Sequence, residues 1–226
     1  MKKSKLWRWG VSLCVFAALA INVHLLSPHS SQATCAAPLN PIDAENCNLG
    51  STGWLLDLNT MAVSDDVNGQ IQGYASAVSV NKGQPIQFHV SVNPAQTYHI
   101  EIYRLGYYQG KGGRLMQTVS NLNGTKQPDC PQDPTTGMVA CDWAVGHTLN
   151  VPSNWVSGVY VAMLVNSQGY RSQIVFIVRD DARLAHFVYQ HPTTRNAAYN
   201  DYPQGTSRSK SLYGFNSEGD EIPALV

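Results

Sequence analysis

Hydrophobic and polar residues alternate strictly over part of this chain: Ile86, Phe88, Val90 and Val92 are interleaved with Gln87, His89 and Ser91. A period of two sends successive side chains to opposite faces, so this is a strand with one buried and one wet face. Lys82-Gly83-Gln84-Pro85 before it and Asn93-Pro94-Ala95 after it are turn-forming clusters. The same reading predicts strands over residues 98–105, 115–119, 138–145 and 148–151. Val159, Val161, Met163 and Val165 alternate again, and Asn166-Ser167-Gln168-Gly169 turns the chain into a last strand over 171–178. About seven short strands with regular turns predict a mainly β protein, an immunoglobulin-like antiparallel β-sandwich over residues 69–181.

The pattern changes after Asp181. Leu184-Ala185-His186-Phe187-Val188-Tyr189 is mostly apolar, as a buried parallel strand would be. His191-Pro192-Thr193-Thr194 then offers a threonine cap, and Arg195 to Tyr199 suits a helix. Strand, turn and helix in this order open an α/β domain, so residues 182–226 are expected to hold its incomplete N-terminal part, a truncated domain.

At the other end, Met1-Lys2-Lys3-Ser4-Lys5 and Arg8 form a basic region, residues 9–26 an apolar one, and Ser31-Gln32-Ala33 a small-residue cleavage site. Residues 1–33 therefore read as a signal peptide, with an uncleaved anchor as the rival reading. Residues 34–68, with Pro38, Pro41, Gly50 and Gly53, read as an irregular N-terminal arm that packs Trp54 onto the sandwich.

Export changes the charge. Losing Lys2, Lys3, Lys5 and Arg8 takes 15 basic residues to 11 against 15 acidic ones, a net charge of about −4. No basic run remains to neutralise phosphates, so nucleic acid is not expected as a partner. A secreted or periplasmic protein without a stable membrane anchor after cleavage is the expectation. Cys14 leaves with the signal, and Cys35, Cys47, Cys130 and Cys141 remain. In an exported chain these read as disulfides, paired locally as Cys35–Cys47 and Cys130–Cys141, each closing a short Pro/Asn/Asp-rich loop. Zinc is the alternative, but no Cys-x-x-Cys or histidine pair stands at ligand spacing.

Several residues invite a sharper reading than they support. Asp65-Asp66-Val67-Asn68-Gly69 lacks the distal glutamate of a calcium loop and reads as an Asn-Gly turn. His89 and His99 read as surface histidines on strands, and Trp143 and Trp155 as packing residues. Gly110-Lys111-Gly112-Gly113 is a hairpin loop, since no helix follows to hold a phosphate.

Gly73-Tyr74-Ala75-Ser76, the stretch from Tyr98 through Arg104-Leu105-Gly106-Tyr107-Tyr108 to Arg114, Val156-Ser157-Gly158-Val159-Tyr160 and Val178-Arg179-Asp180-Asp181 resemble one family. So do Thr193-Thr194-Arg195-Asn196-Ala197-Ala198-Tyr199-Asn200 and Ser211-Leu212-Tyr213-Gly214-Phe215-Asn216. The chain resembles proteins related to the large (beta) subunit of N,N-dimethylformamidase, from its N-terminal sandwich into the start of its C-terminal domain. The resemblance implies amide (C–N) hydrolysis in full-length relatives, with an iron held there by two tyrosines and a glutamate in the α/β domain. None of those ligands maps onto a position here, and no cofactor is expected in this chain.

The chain contains no Gly-x-Ser-x-Gly elbow and no His-Glu-x-x-His. The cluster with catalytic residue types is His191, Tyr199, Asn200, Asp201 and Tyr202, beyond the carboxyl end of the predicted strand, where ligands of α/β sheets gather. The bland reading is that His191-Pro192 shapes the turn and Tyr199 packs. Two functions follow. One is a non-catalytic sandwich that supports a hydrolase-like domain mostly absent here, a missing α/β domain or another protein being its partner. The other is a secreted binding or adhesion module for carbohydrate or protein, using Tyr103, Tyr107 and Tyr108. Packing of those tyrosines against residues 182–226 would favour the first, an open platform the second.

Overall fold

A computed structural model describes residues 35, 37–133, 135, 138–185, 187–200, 202 and 211. The predicted signal peptide lies outside the described residues. Among the described residues, eight strands form two sheets. Strands β1 (Ile71–Ala75), β3 (Pro85–Val92) and β6 (Val145–Asn150) make a three-stranded antiparallel sheet in the order β1-β3-β6. The second sheet runs β2 (Ser79–Asn81), β8 (Arg171–Arg179), β7 (Gly158–Asn166), β4 (Gln96–Leu105), β5 (Gly113–Gly124). All its pairs are antiparallel except β2, which lies parallel to β8. The chain thus crosses between sheets at Ser76-Ala77-Val78.

Alternation built the core as predicted. Ile86, Phe88, Val90 and Val92 point inward and meet Ile100, Ile102, Tyr160, Ala162, Leu164, Ile174, Phe176 and Val178 from the facing sheet. Phe88 and Phe176 touch edge-on with centroids 5.5 Å apart, a favoured aromatic geometry. Trp143 and Trp155 are buried packing residues, Trp155 stacked on Tyr160 at 5.0 Å. This is the mainly β sandwich that the periodicity predicts.

Four expectations differ from the structure. Residues 138–144 form no strand; they carry a single bridge, Gln132 to Val139, within the loop closed by Cys130–Cys141, and β6 begins only at Val145. His89 is not a free surface histidine: its ring stacks on Tyr74 at 4.7 Å and its Nδ1 lies 2.6 Å from the Trp143 carbonyl. Leu184, Ala185 and 187–189 form neither helix nor strand, and Leu184, Phe187 and Val188 are 98%, 92% and 93% exposed. Strand β8, just before this run, already has β7 on one side and β2 on the other, and no edge of either sheet is paired with these residues among those described. The helix does form, as α2 (Thr193–Tyr199), but Pro192 occupies its cap position and neither threonine caps it.

The arm carries a short helix, α1 (Pro41–Asn46), and the Asn-Gly turn forms as read. The Asp65 carboxylate accepts from the Asn68 backbone at 2.8 Å, the Asn68 amide at 2.9 Å and the Gln70 amide at 2.8 Å. Those donors occupy the oxygens a calcium ion would need. Both disulfides join the predicted pairs, Cys35–Cys47 and Cys130–Cys141. They are consistent with an extracellular or periplasmic protein. Among the described residues no helix is long and apolar enough to cross a membrane.

Candidate functional site

The aromatic stretch of β4 and the loop after it is a dock for the arm. Asn40 caps α1, its Oδ1 accepting from the Ile42 and Asp43 backbone at 2.9 and 3.1 Å, and Pro41 supplies the preset first residue. The helix ends at Cys47, tied back to Cys35. It holds Glu45 and Asn46 over residues 104–114. The Glu45 Oε1 accepts from the Tyr108 hydroxyl at 2.9 Å and from Arg114 at 2.6 Å, while Asn46 Oδ1 accepts from the Tyr107 backbone at 3.0 Å. Trp54 lies over Gly112 and Gly113, where any Cβ would strike its ring, and its Nε1 donates to the Lys111 carbonyl at 3.1 Å. Glycine is required at 112 for a second reason, its φ of +79°.

Tyr103 and Tyr108 are therefore buried, not platforms. Tyr103 packs with Met163, Val165, Trp54 and Leu56, and its hydroxyl donates to Glu101 at 2.8 Å. Tyr107 is half exposed. The covering partner is the arm. Burial pushes the Tyr108 phenol up to about 12, with Arg104 opposing the rise and Glu45 adding to it. Burial and Glu101 together raise Tyr103 further.

The predicted cluster beyond the sandwich is only partly assembled. His191 and Asn200 line a cleft of about 200 Å³ together with Asn196 and Thr193 of α2, floored by Ala75, Ala77, Val78 and Ile174 and walled by Tyr74. The Asn196 amide donates to His191 Nε2 at 3.3 Å, which leaves the ring proton on Nδ1, 3.2 Å from the Tyr189 hydroxyl. Tyr199 is not among the lining residues; Arg195 stands over its ring at 5.4 Å. Tyr202 lodges on the sandwich, its hydroxyl donating to Gln72 at 3.4 Å, and burial pushes that phenol up to about 12. Asp201 lies outside the described residues. Tyr74 and Asn196 were not singled out as site residues, because the β1–β2 crossover and α2 meet only in three dimensions. Among the described residues that line the cleft there is no carboxylate, lysine or arginine, and its polar side chains are those of His191, Thr193, Asn196 and Asn200.

The iron implied by the resemblance does not fit the described residues. Two tyrosine–glutamate pairs exist, Tyr103–Glu101 and Tyr108–Glu45, and each is closed by its own hydrogen bond. An iron-binding phenol must lose its proton, whereas burial holds both of these protonated. Among the described residues no group of three or more histidine, cysteine, aspartate or glutamate side chains could hold a metal.

Fold and site together define a disulfide-stapled, immunoglobulin-like sandwich with a docked N-terminal arm and a short helical extension. The family model described as N,N-dimethylformamidase beta subunit-like, C-terminal, matches residues 99–224, from within β4 through the extension. The chain belongs to the N,N-dimethylformamidase beta subunit-like family. Comparison with curated proteins finds no match. Among solved structures, a superoxide reductase (neelaredoxin) from Ignicoccus hospitalis is similar at 18% identity and a TM-score of 0.27, covering 49% of this chain and 80% of that one. A beta-glucosidase from Listeria innocua shares 10% identity at a TM-score of 0.26, covering 48% of this chain and 16% of that one. Murine CEACAM1b shares 12% at 0.24, covering 49% and 54%. None of the three carries weight for activity.

Proposed function

We propose that this chain is the exported, non-catalytic sandwich of an N,N-dimethylformamidase beta subunit-like protein, and that it supports a hydrolase-like domain which residues 182–226 begin. The observation that carries this reading is the contrast between the two parts. Within the sandwich, the tyrosines and glutamates that resemble chemistry are hydrogen-bonded to one another and buried beneath the arm. Beyond it, Leu184, Phe187 and Val188 are nearly fully exposed and Tyr189 63% exposed, an apolar run that a further domain would bury. The pairings Cys35–Cys47 and Cys130–Cys141 support export. Hydrogen exchange tests the reading. In a full-length relative the segment aligned with residues 184–189 is protected, while in the 226-residue chain it exchanges at the free-peptide rate. Equally fast exchange in both contradicts the supporting role.

The alternative, a secreted module that binds carbohydrate or protein, is favoured by one observation, the cleft under α2. It relies on His191, Asn196 and Asn200 rather than on the buried tyrosines. Retention of this chain on a glycan array, lost in His191→Ala and Asn200→Ala, would move the conclusion to that reading.

A further inference from the structure

The cleft under α2 has an aromatic wall that is fixed in place without a ligand. Tyr74 is held at its hydroxyl from two directions: it accepts from the Trp143 backbone at 3.0 Å and donates to the Cys141 carbonyl at 3.1 Å. His89 stacks on one face of the ring at 4.7 Å, with an interplanar angle of 6°, and is itself set by its Nδ1 against the Trp143 carbonyl. His89 lies on β3, directly opposite Tyr74. Strand β1 is the edge of its sheet, so the other face of the ring looks past that edge, where Ala77, Val78 and Ile174 floor the cleft. A ring clamped in this way has little rotamer freedom left to lose when a ligand covers it.

Asn196 and Asn200 line the same cleft, from α2 and from its C-terminal cap position. Each amide is half used. Asn196 Nδ2 meets His191 Nε2 at 3.3 Å, and Asn200 Oδ1 accepts from the Tyr202 backbone at 3.0 Å. The Asn196 Oδ1 and the Asn200 Nδ2 make no hydrogen bond among the described residues, which leaves one acceptor and one donor four residues apart. Neighbouring hydroxyls on a ring satisfy both, since a hydroxyl donates and accepts. The C–H face of a pyranose carries slight positive charge and suits the negative face of an aromatic ring. At about 200 Å³ the cleft is smaller than the about 300–1,000 Å³ that take drug-sized ligands, which limits it to one ring. We propose that the cleft binds a single pyranose unit, stacked on Tyr74, with two neighbouring hydroxyls on Asn196 and Asn200. The inference rests on the binding-module reading and narrows it to one sugar ring on one wall.

The test titrates the full chain with methyl β-D-glucopyranoside, methyl β-D-galactopyranoside and methyl α-D-mannopyranoside, read by saturation-transfer NMR. Benzamide, a planar molecule with a donor and an acceptor, is the counter-probe. At least one pyranoside binds with a dissociation constant on the order of 1 mM, and the ring C–H protons of one face receive most of the saturation and show contacts to the Tyr74 ring protons. Asn200→Asp keeps the oxygen that the Tyr202 backbone uses and replaces the donor with a second acceptor. It weakens the pyranoside about tenfold in a chain whose far-UV spectrum stays that of the wild type. Retention of longer glycans that His191→Ala abolishes, without a response to any single pyranoside, leaves the binding reading standing and overturns the one-ring site. No retention and no response overturn both. Tighter binding of benzamide than of every pyranoside, or wild-type affinity in Asn200→Asp, overturns the inference.

Discussion

Tyr98 and Tyr108 show how far one hydroxyl can move the balance. Among the described residues the buried Tyr98 hydroxyl has no hydrogen-bond partner, and such a group costs about 1–3 kcal/mol in desolvation. Tyr98→Phe is therefore expected to raise stability, by about 1 kcal/mol in urea denaturation. Tyr108→Phe does the opposite: it removes the bridge between Arg104 and Glu45 and is expected to cost about 1–3 kcal/mol. Both phenols also set an alkaline limit. Burial raises Tyr98 and Tyr108 from an ordinary 10.0 to about 12, so the folded chain keeps protons that the unfolded chain releases. Their contribution is complete below pH 10 and drains away as the pH climbs towards 12. Stability measured across that window should fall, and phenolate absorbance should appear together with unfolding rather than before it.

At the scale of elements, the arm and the edge strand matter most. The arm's attachment is legible in part: Trp54 stands out as an apolar residue among turn formers, and Gly112 and Gly113 as a loop without bulk. Their meeting is not legible, because Glu45, Asn46 and Trp54 lie some sixty positions upstream of what they cover. That distance is why Tyr103 and Tyr108 resemble an exposed platform in sequence. The segment 138–144 misleads differently, since its short loop is held by Cys130–Cys141 and by a single bridge between Gln132 and Val139 rather than by a strand ladder. Leu184, Ala185 and 187–189 have strand-forming composition but pair with no strand among the described residues. Strand β5 is an edge with two extra residues inserted against β4, between the pairs Tyr98–Leu122 and Ile100–Val119 and between Ile102–Gln117 and Tyr103–Leu115. Such bulges twist an edge away from further pairing, which explains how a twelve-residue edge strand is protected. Gly112→Ala forces a side chain into left-handed backbone and against Trp54, and is expected to cost about 1–3 kcal/mol. Limited proteolysis should then cut the arm while the sandwich stays intact; a wild-type digestion pattern would contradict the dock.

Across the whole molecule, local bridges hold segments that the core does not reach. Cys35–Cys47 secures α1 and Cys130–Cys141 secures the long β5–β6 connection; both pairings follow from loop composition and export. Reducing either is expected to lower stability by about 2–4 kcal/mol, read from denaturation with and without reductant. The division of labour in the family was less legible, because buried hydrogen bonds and catalytic groups draw on the same residue types. The central claim is that the sandwich supports chemistry and does not perform it. Hydrolysis of N,N-dimethylformamide and other small amides by the 226-residue chain, with and without added ferrous iron, tests this most directly. The account predicts no turnover above the buffer rate in either condition. Turnover that disappears in Tyr103→Phe or Glu101→Gln would contradict it.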